Sequence, residues 1–171
     1  GLRPDGWLTE APCVQVRNFR IRSSMKVLVT GGAGFIGANL VKKLGTLDEA
    51  DEIAVIDDLS FGFRENLENT NVTLYEGSIL DKDLLGIAAA GASVIVHLAA
   101  RSSVPRSIAE PIAAHEVNAT GTAMVLEAAR REGAVQVIFA SSSSVYGSTE
   151  ELPKHEGLVP RPISPYGASK L

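Results

Sequence analysis

From Met25 onward, short apolar runs alternate with longer stretches of helical periodicity. "KVLVT" (Lys26–Thr30) carries an unbroken apolar run at its centre, the pattern of a parallel strand buried on both faces. A Gly/Ala break follows, and a helix is predicted from Phe35 to about Leu47. "EIAVID" (Glu52–Asp57) predicts a second strand and "VTLYE" (Val72–Glu76) a shorter third. Asp81 to Ala90 reads as a helix with Asp81 as its cap. "SVIVHLA" (Ser93–Ala99) predicts a fourth strand. Pro111 to about Glu132 predicts one long helix, with Val117, Met124, Val125 and Ala128 on or near one face. "VQVIFAS" (Val135–Ser141) predicts a fifth strand. A loop rich in proline, glycine and charge runs from Gly147 to Ser164. Pro165 then stands at a first helical position, with Tyr166 behind it.

Strand–helix alternation of this kind predicts an α/β fold, a doubly wound parallel sheet with helices on both faces. Right-handed crossovers make 3-2-1-4-5 the expected strand order. No internal repeat or low-complexity segment interrupts the pattern.

Composition narrows the class. The 171 residues suit one domain, and 45% hydrophobic with 21% charged residues is close to the globular average. A net charge of -4 argues against non-specific binding to nucleic acid or an anionic membrane. No apolar run approaches the roughly 20 residues that cross a bilayer, and a cytoplasmic protein is expected. Cys13 is the only cysteine, which excludes an internal disulfide and a cysteine-built zinc site. Residues 1–24 carry a net +2 and leave -6 on the rest. They lack the apolar core of a signal peptide. They read as an upstream extension with little ordered structure, and Met25 reads as the natural start of a domain spanning 25–171.

Candidate chemistry begins at "TGGAGFIG" (Thr30–Gly37). Gly32, Gly34 and Gly37 satisfy G-x-G-x-x-G, and Gly31, Gly34 and Gly37 satisfy G-x-x-G-x-x-G. The match follows a predicted strand and opens a predicted helix, which is the context of a dinucleotide-binding turn. Backbone N–H groups and the helix dipole there attract phosphates. Asp57 ends the second strand, 20 residues beyond Gly37. A carboxylate at that place accepts hydrogen bonds from the ribose and repels a 2′-phosphate, which favours NAD over NADP. A cap on the strand end is the plainer reading of Asp57. Tyr166 and Lys170, four residues apart, would share one helix face. Such a pair is most often an exposed helix face, but a positive charge beside a phenol also favours a usable base. "ASSSSVYG" (Ala140–Gly147) leaves the fifth strand at the sheet edge where ligands of such folds bind.

"TGGAGFIG", Asp57, "HLAA" (His97–Ala100), "NATGT" (Asn118–Thr122), "SSSSVYG" and "YGASK" together resemble the extended short-chain dehydrogenase/reductases. Within them the chain is most similar to the NAD-dependent UDP-hexose 4-epimerases. The resemblance covers Met25 to Leu171 and implies a Rossmann fold. It implies that Tyr166 takes the proton from the sugar 4-hydroxyl and that Lys170 binds the nicotinamide ribose. It implies that Ser142 is the catalytic hydroxyl and that Asn118 supports the site. NAD would lie against Gly31, Gly34, Phe35, Ile36, Gly37, Asp57, Asp58, Ser78, Ile79, Leu98, Ala99, Ala100, Tyr166 and Lys170. A UDP-sugar would touch Ser102, Ser103, Ser142 and Tyr166. Ser103 reads equally well as an ordinary helix cap.

The related 4,6-dehydratases carry Thr-Asp-Glu at the positions of Ser142, Ser143 and Ser144, and serines there cannot do their extra acid/base work. Other readings are a further NAD-dependent sugar-nucleotide oxidoreductase or decarboxylase, and a non-catalytic NAD-binding fragment. Ser78, Asp58 and Phe61 depart from the family pattern. Phe61 replaces a residue able to donate to a phosphate, so weaker NAD binding is expected. Members of this family continue past this point, so the sequence reads as an N-terminal part. The sixth strand and the C-terminal substrate lobe are absent from it, the fifth strand is left as an apolar edge, and the part alone is expected to be inactive. In the full-length protein, a homodimer through the helix from Pro111 is expected.

Overall fold

The computed structural model describes residues 25–133 and 136–171. The extension expected over residues 1–24 lies outside the described residues, as does Val135. Five parallel strands make one sheet: β1 (Lys26–Thr30), β2 (Glu52–Asp57), β3 (Val72–Glu76), β4 (Val94–His97) and β5 (Gln136–Phe139). Their order is β3-β2-β1-β4-β5, as the right-handed crossovers required. β1 lies at the centre, with Thr30 registered to Ile56 on one side and His97 on the other. The two sheet faces follow from strand alternation. Val27, Val29, Ile53 and Val55 pack against Ala38 and Val41 of α1 (Phe35–Leu44). Leu28, Ala54, Ile56 and Ile95 pack on the opposite face with α2 (Lys82–Ala89) and α5 (Gly121–Arg131).

Asp81 caps α2 as expected, accepting from Asp83 N and Leu84 N. α1 stops at Leu44 rather than Leu47, with Gly45 N closing the last turn on Val41 O. The long helix expected from Pro111 to Glu132 is not uniform. It is α4 (Pro111–His115), a π-helical turn over Glu116–Thr120, then α5. A short helix α3 (Val104–Ala109) precedes it, with Pro105 near its start. Two 3-10 turns, Arg64–Leu67 and Ser143–Tyr146, fall in stretches read as loop or strand end. The last helix, α6 (Pro165–Ser169), starts where the proline predicted. Among the described residues, no helix is long and apolar enough to cross a membrane.

Candidate active site

The carboxyl ends of the strands open into a cleft of about 610 Å³. Its first wall is the turn between β1 and α1. Gly31 takes φ +71°, and a Cβ there would lie 2.7 Å from Ala99 N, so only glycine lets the chain leave β1 under the end of β4. A Cβ on Gly37 would overlap the carbonyl of Gly31. Gly32 faces Val55, whereas Gly31, Gly34 and Gly37 line the cleft. The second of the two glycine registers is therefore the one that the site uses. Gly34 caps α1 without a side-chain hydrogen bond, and no acidic residue stands in the first turn. The amides of that turn have no partner within the helix, and Phe35 and Ile36 line the cleft. An open, positive helix end of this kind suits a diphosphate.

Asp57 forms the next part of the wall. It is 8% exposed. Its Oδ2 accepts from Ala33 N at 2.9 Å and its Oδ1 from Leu59 N at 2.9 Å. Asp57 therefore does cap the strand end, and each oxygen keeps a further lone pair for a ligand hydroxyl. Asp58 is exposed and bonds Ser60. Ser78 accepts from Leu80 N and lines the cleft with buried Ile79. Leu98, Ala99 and Ala100 complete that wall.

The opposite wall is α6 and its surroundings. Ser164 caps α6 by accepting from Gly167 N, and Ser107 Oγ accepts from Tyr166 N at 3.0 Å. Tyr166 and Lys170 line the same cleft as the glycine turn. This is not an exposed helix face, since Lys170 is 3% exposed. Its Nζ lies 4.5 Å from the centroid of the Phe139 ring. Burial pushes the Lys170 ammonium below the ordinary lysine value. Ser141 Oγ donates to the carbonyl of Lys170 at 2.6 Å.

The serine cluster divides its work. Ser141 lines the cleft. Ser142 starts the 3-10 turn, its hydroxyl accepting from Ser144 N at 3.1 Å. Asn118 is buried under the site; its Oδ1 accepts from Arg101 N and its Nδ2 donates to Ser169 Oγ. Ser169 Oγ donates in turn to Tyr166 O at 2.9 Å. Ser102 lines the cleft. Ser103 caps α3, accepting from Arg106 N, and lines a smaller adjoining pocket. Ser107, Ser141 and Ser169 were not singled out from the sequence, although Ser141 lies within "ASSSSVYG" and Ser169 within "YGASK". Only the fold shows which hydroxyl of each motif faces α6.

A profile of the NAD dependent epimerase/dehydratase family matches residues 27–171. A UDP-glucose 4-epimerase of Mycolicibacterium smegmatis is 42% identical over 153 residues, which is 86% of this chain and 48% of the relative. The Thermus thermophilus UDP-glucose 4-epimerase, solved with NAD, superposes with a TM-score of 0.78 at 38% identity, covering 85% of this chain and 47% of that one. A dTDP-glucose 4,6-dehydratase of Streptomyces venezuelae, solved with NAD and TYD, gives a TM-score of 0.80 at 39% identity, covering 85% and 48%. The chain thus spans about half the length of the relatives it matches. With the profile running from β1 to the last residue, the chain belongs to the NAD-dependent epimerase/dehydratase family.

Proposed function

We propose that this chain is the NAD-binding half of a UDP-hexose 4-epimerase. One observation carries the reading. The open N-terminus of α1, the Asp57 carboxylate, and the Tyr166–Lys170 pair line a single cleft. Phosphates fit at the first, ribose hydroxyls at the second, and a reacting hydroxyl at the third. NAD⁺, when bound, supplies the hydride acceptor and donor for the sugar C4. Tyr166 takes the proton of the 4-hydroxyl and returns it. Lys170 holds the nicotinamide ribose and keeps positive charge beside the phenol. Ser142, next to cleft-lining Ser141, would donate its hydroxyl proton to the sugar oxygen, its contact with Ser144 N being an accepting one. Asn118 holds α6 in place through Ser169.

Ser143 and Ser144 bear on the choice of reaction. Their hydroxyls cannot perform the acid/base work of water removal, so epimerisation is favoured over dehydration. The likeness to the Streptomyces dehydratase makes a product assay the discriminating measurement. The whole protein is proposed to act as a homodimer through the α4–α5 segment, where Ile112 and Leu126 are 71% and 51% exposed.

Two measurements test the reading. Calorimetry should show NAD⁺ binding to the chain, weakened about tenfold or more by Asp57→Asn, with NADP⁺ binding at least about tenfold more weakly than NAD⁺. The whole protein should convert UDP-galactose to UDP-glucose, and Tyr166→Phe should lower kcat about 100-fold or more. The 171 residues alone should bind NAD⁺ without turnover. Release of a dehydrated 4-keto product in place of the epimer sinks the epimerase reading.

A further inference from the structure

Phe61 is the departure that the proposed function leaves unexplained. A benzyl side chain stands where a phosphate donor is expected, half-exposed on the rim of the cleft. Its position is fixed by neighbours on both sides. Ser60 is tied to Asp58, and Phe63 N donates to Ala33 O at 3.2 Å. Asn66 Nδ2 donates to the same carbonyl at 2.8 Å. A Cβ on Gly62 would lie 2.7 Å from the carbonyl carbon of Ala33, so this loop packs directly on the glycine-rich turn. Phe61 is therefore held next to the place where phosphates fit.

The face of Phe61 is occupied. The guanidinium carbon of Arg106, from α3, lies 5.0 Å from its ring centroid. The two side chains line a pocket of about 260 Å³ that shares Phe61, Arg101 and Ser102 with the main cleft. The charges around them are unequal. Arg101 is paired with Glu110 at 2.6 Å. Lys170 lies against Phe139. Asp57 and Asp58 bring negative charge to the cleft. Among the described residues, Arg106 takes part in no ion pair. A guanidinium stacked on an aromatic ring keeps its N–H edge free for a planar, two-oxygen contact.

We propose that Phe61 and Arg106 form a diphosphate clamp, in which the ring holds Arg106 at the rim of the glycine turn and the guanidinium binds the diphosphate of the dinucleotide. The inference rests on the NAD reading of the cleft. Charge from α3 thus replaces the donor missing at position 61. The packing of the Phe61 loop on Ala33 points to the dinucleotide rather than to a nucleotide sugar.

The test titrates NAD⁺, ADP and UDP into the chain by calorimetry and follows adenosine by ligand-observed NMR. Arg106→Ala should weaken NAD⁺ and ADP about tenfold and leave adenosine unchanged. Phe61→Leu should weaken NAD⁺ and ADP by a smaller factor, because the guanidinium remains but its platform is gone. The gap between wild type and Arg106→Ala should narrow as salt rises. Both side chains are solvent-facing, and a thermal melt confirms that each variant is folded. NAD⁺ affinity within twofold of wild type in Arg106→Ala, alongside a clear loss in Asp57→Asn, overturns the clamp and leaves the NAD reading standing. A loss confined to UDP overturns the assignment to the dinucleotide. If the wild-type chain binds neither NAD⁺ nor ADP, both readings fall together.

Discussion

His97, 1% exposed, sits between two threonines, and its hydrogen bonds can be assigned in only one direction. Thr122 has a single hydroxyl proton and donates it to Asn118 O at 2.5 Å. The 2.9 Å contact between His97 Nε2 and Thr122 Oγ1 therefore needs Nε2 as donor. Nδ1 is then an acceptor, taking the Thr30 hydroxyl proton over 2.7 Å. Thr30 Oγ1 itself accepts from Leu98 N and Ala99 N. The accepting Nδ1 requires a neutral ring, and burial, aided by the Lys170 charge, lowers the His97 pKa from 6.5 to about 4. In the unfolded chain the ring takes a proton below its ordinary value, whereas the folded chain resists it. This contribution to stability is complete above pH 6.5 and is lost as pH falls towards 4. Urea unfolding at pH 7 and pH 4.5 should show His97 contributing about 2–3 kcal/mol to the difference. His97→Gln should be less stable at pH 7 and show a correspondingly smaller drop. An equal drop in both proteins refutes the assignment. "HLAA" stood out in the sequence for the backbone that follows the histidine. The ring's partners lie 67 and 25 residues away, so no local pattern could have announced them.

At the scale of elements, the π turn between α4 and α5 does what a regular helix would not. One extra residue in the turn changes which side chains face inward. Asn118 lies in that turn at 1% exposure, holding Arg101 through both backbone groups and α6 through Ser169. Asn118→Ala should cost about 1–3 kcal/mol in chemical denaturation, since Arg101 N loses its acceptor and the contact to Ser169 is lost. Asn118→Asp keeps that acceptor and should cost less; equal losses in the two variants would show that the turn, not the hydrogen bonds, matters. Most elements were legible because apolar runs, caps and prolines act locally. Asp81, Pro165 and the unbroken apolar runs of β1 and β2 illustrate this. The π turn was not legible. The apolar face of the Pro111–Glu132 stretch persists across it, with Val125 and Ala128 buried beyond it, so the periodicity alone reads as one helix. α3 was hidden for a different reason: its six residues are too few to show a period.

The sheet order places β3 and β5 at the two edges of the sheet that the described residues form. They are unequal edges. β5 is packed by α5 on the face that carries Val137, while Ile138 on the other face is 50% exposed. An open strand edge with an apolar face offers both backbone pairing and burial to a second copy. The β3 edge is less inviting, since Arg64 and Glu76 form an ion pair there. The chain is therefore expected to self-associate through β5, with an average mass in sedimentation velocity that rises with concentration. Ile138→Lys places a charge at the edge and should return the sample to a single monomeric species. Ile112→Glu should leave that association unchanged, because it alters the helical face proposed for the homodimer of the whole protein. If Ile112→Glu dissolves the association and Ile138→Lys does not, the contact is the helical one. In that case the dimer proposed for the whole protein already forms from its NAD-binding half.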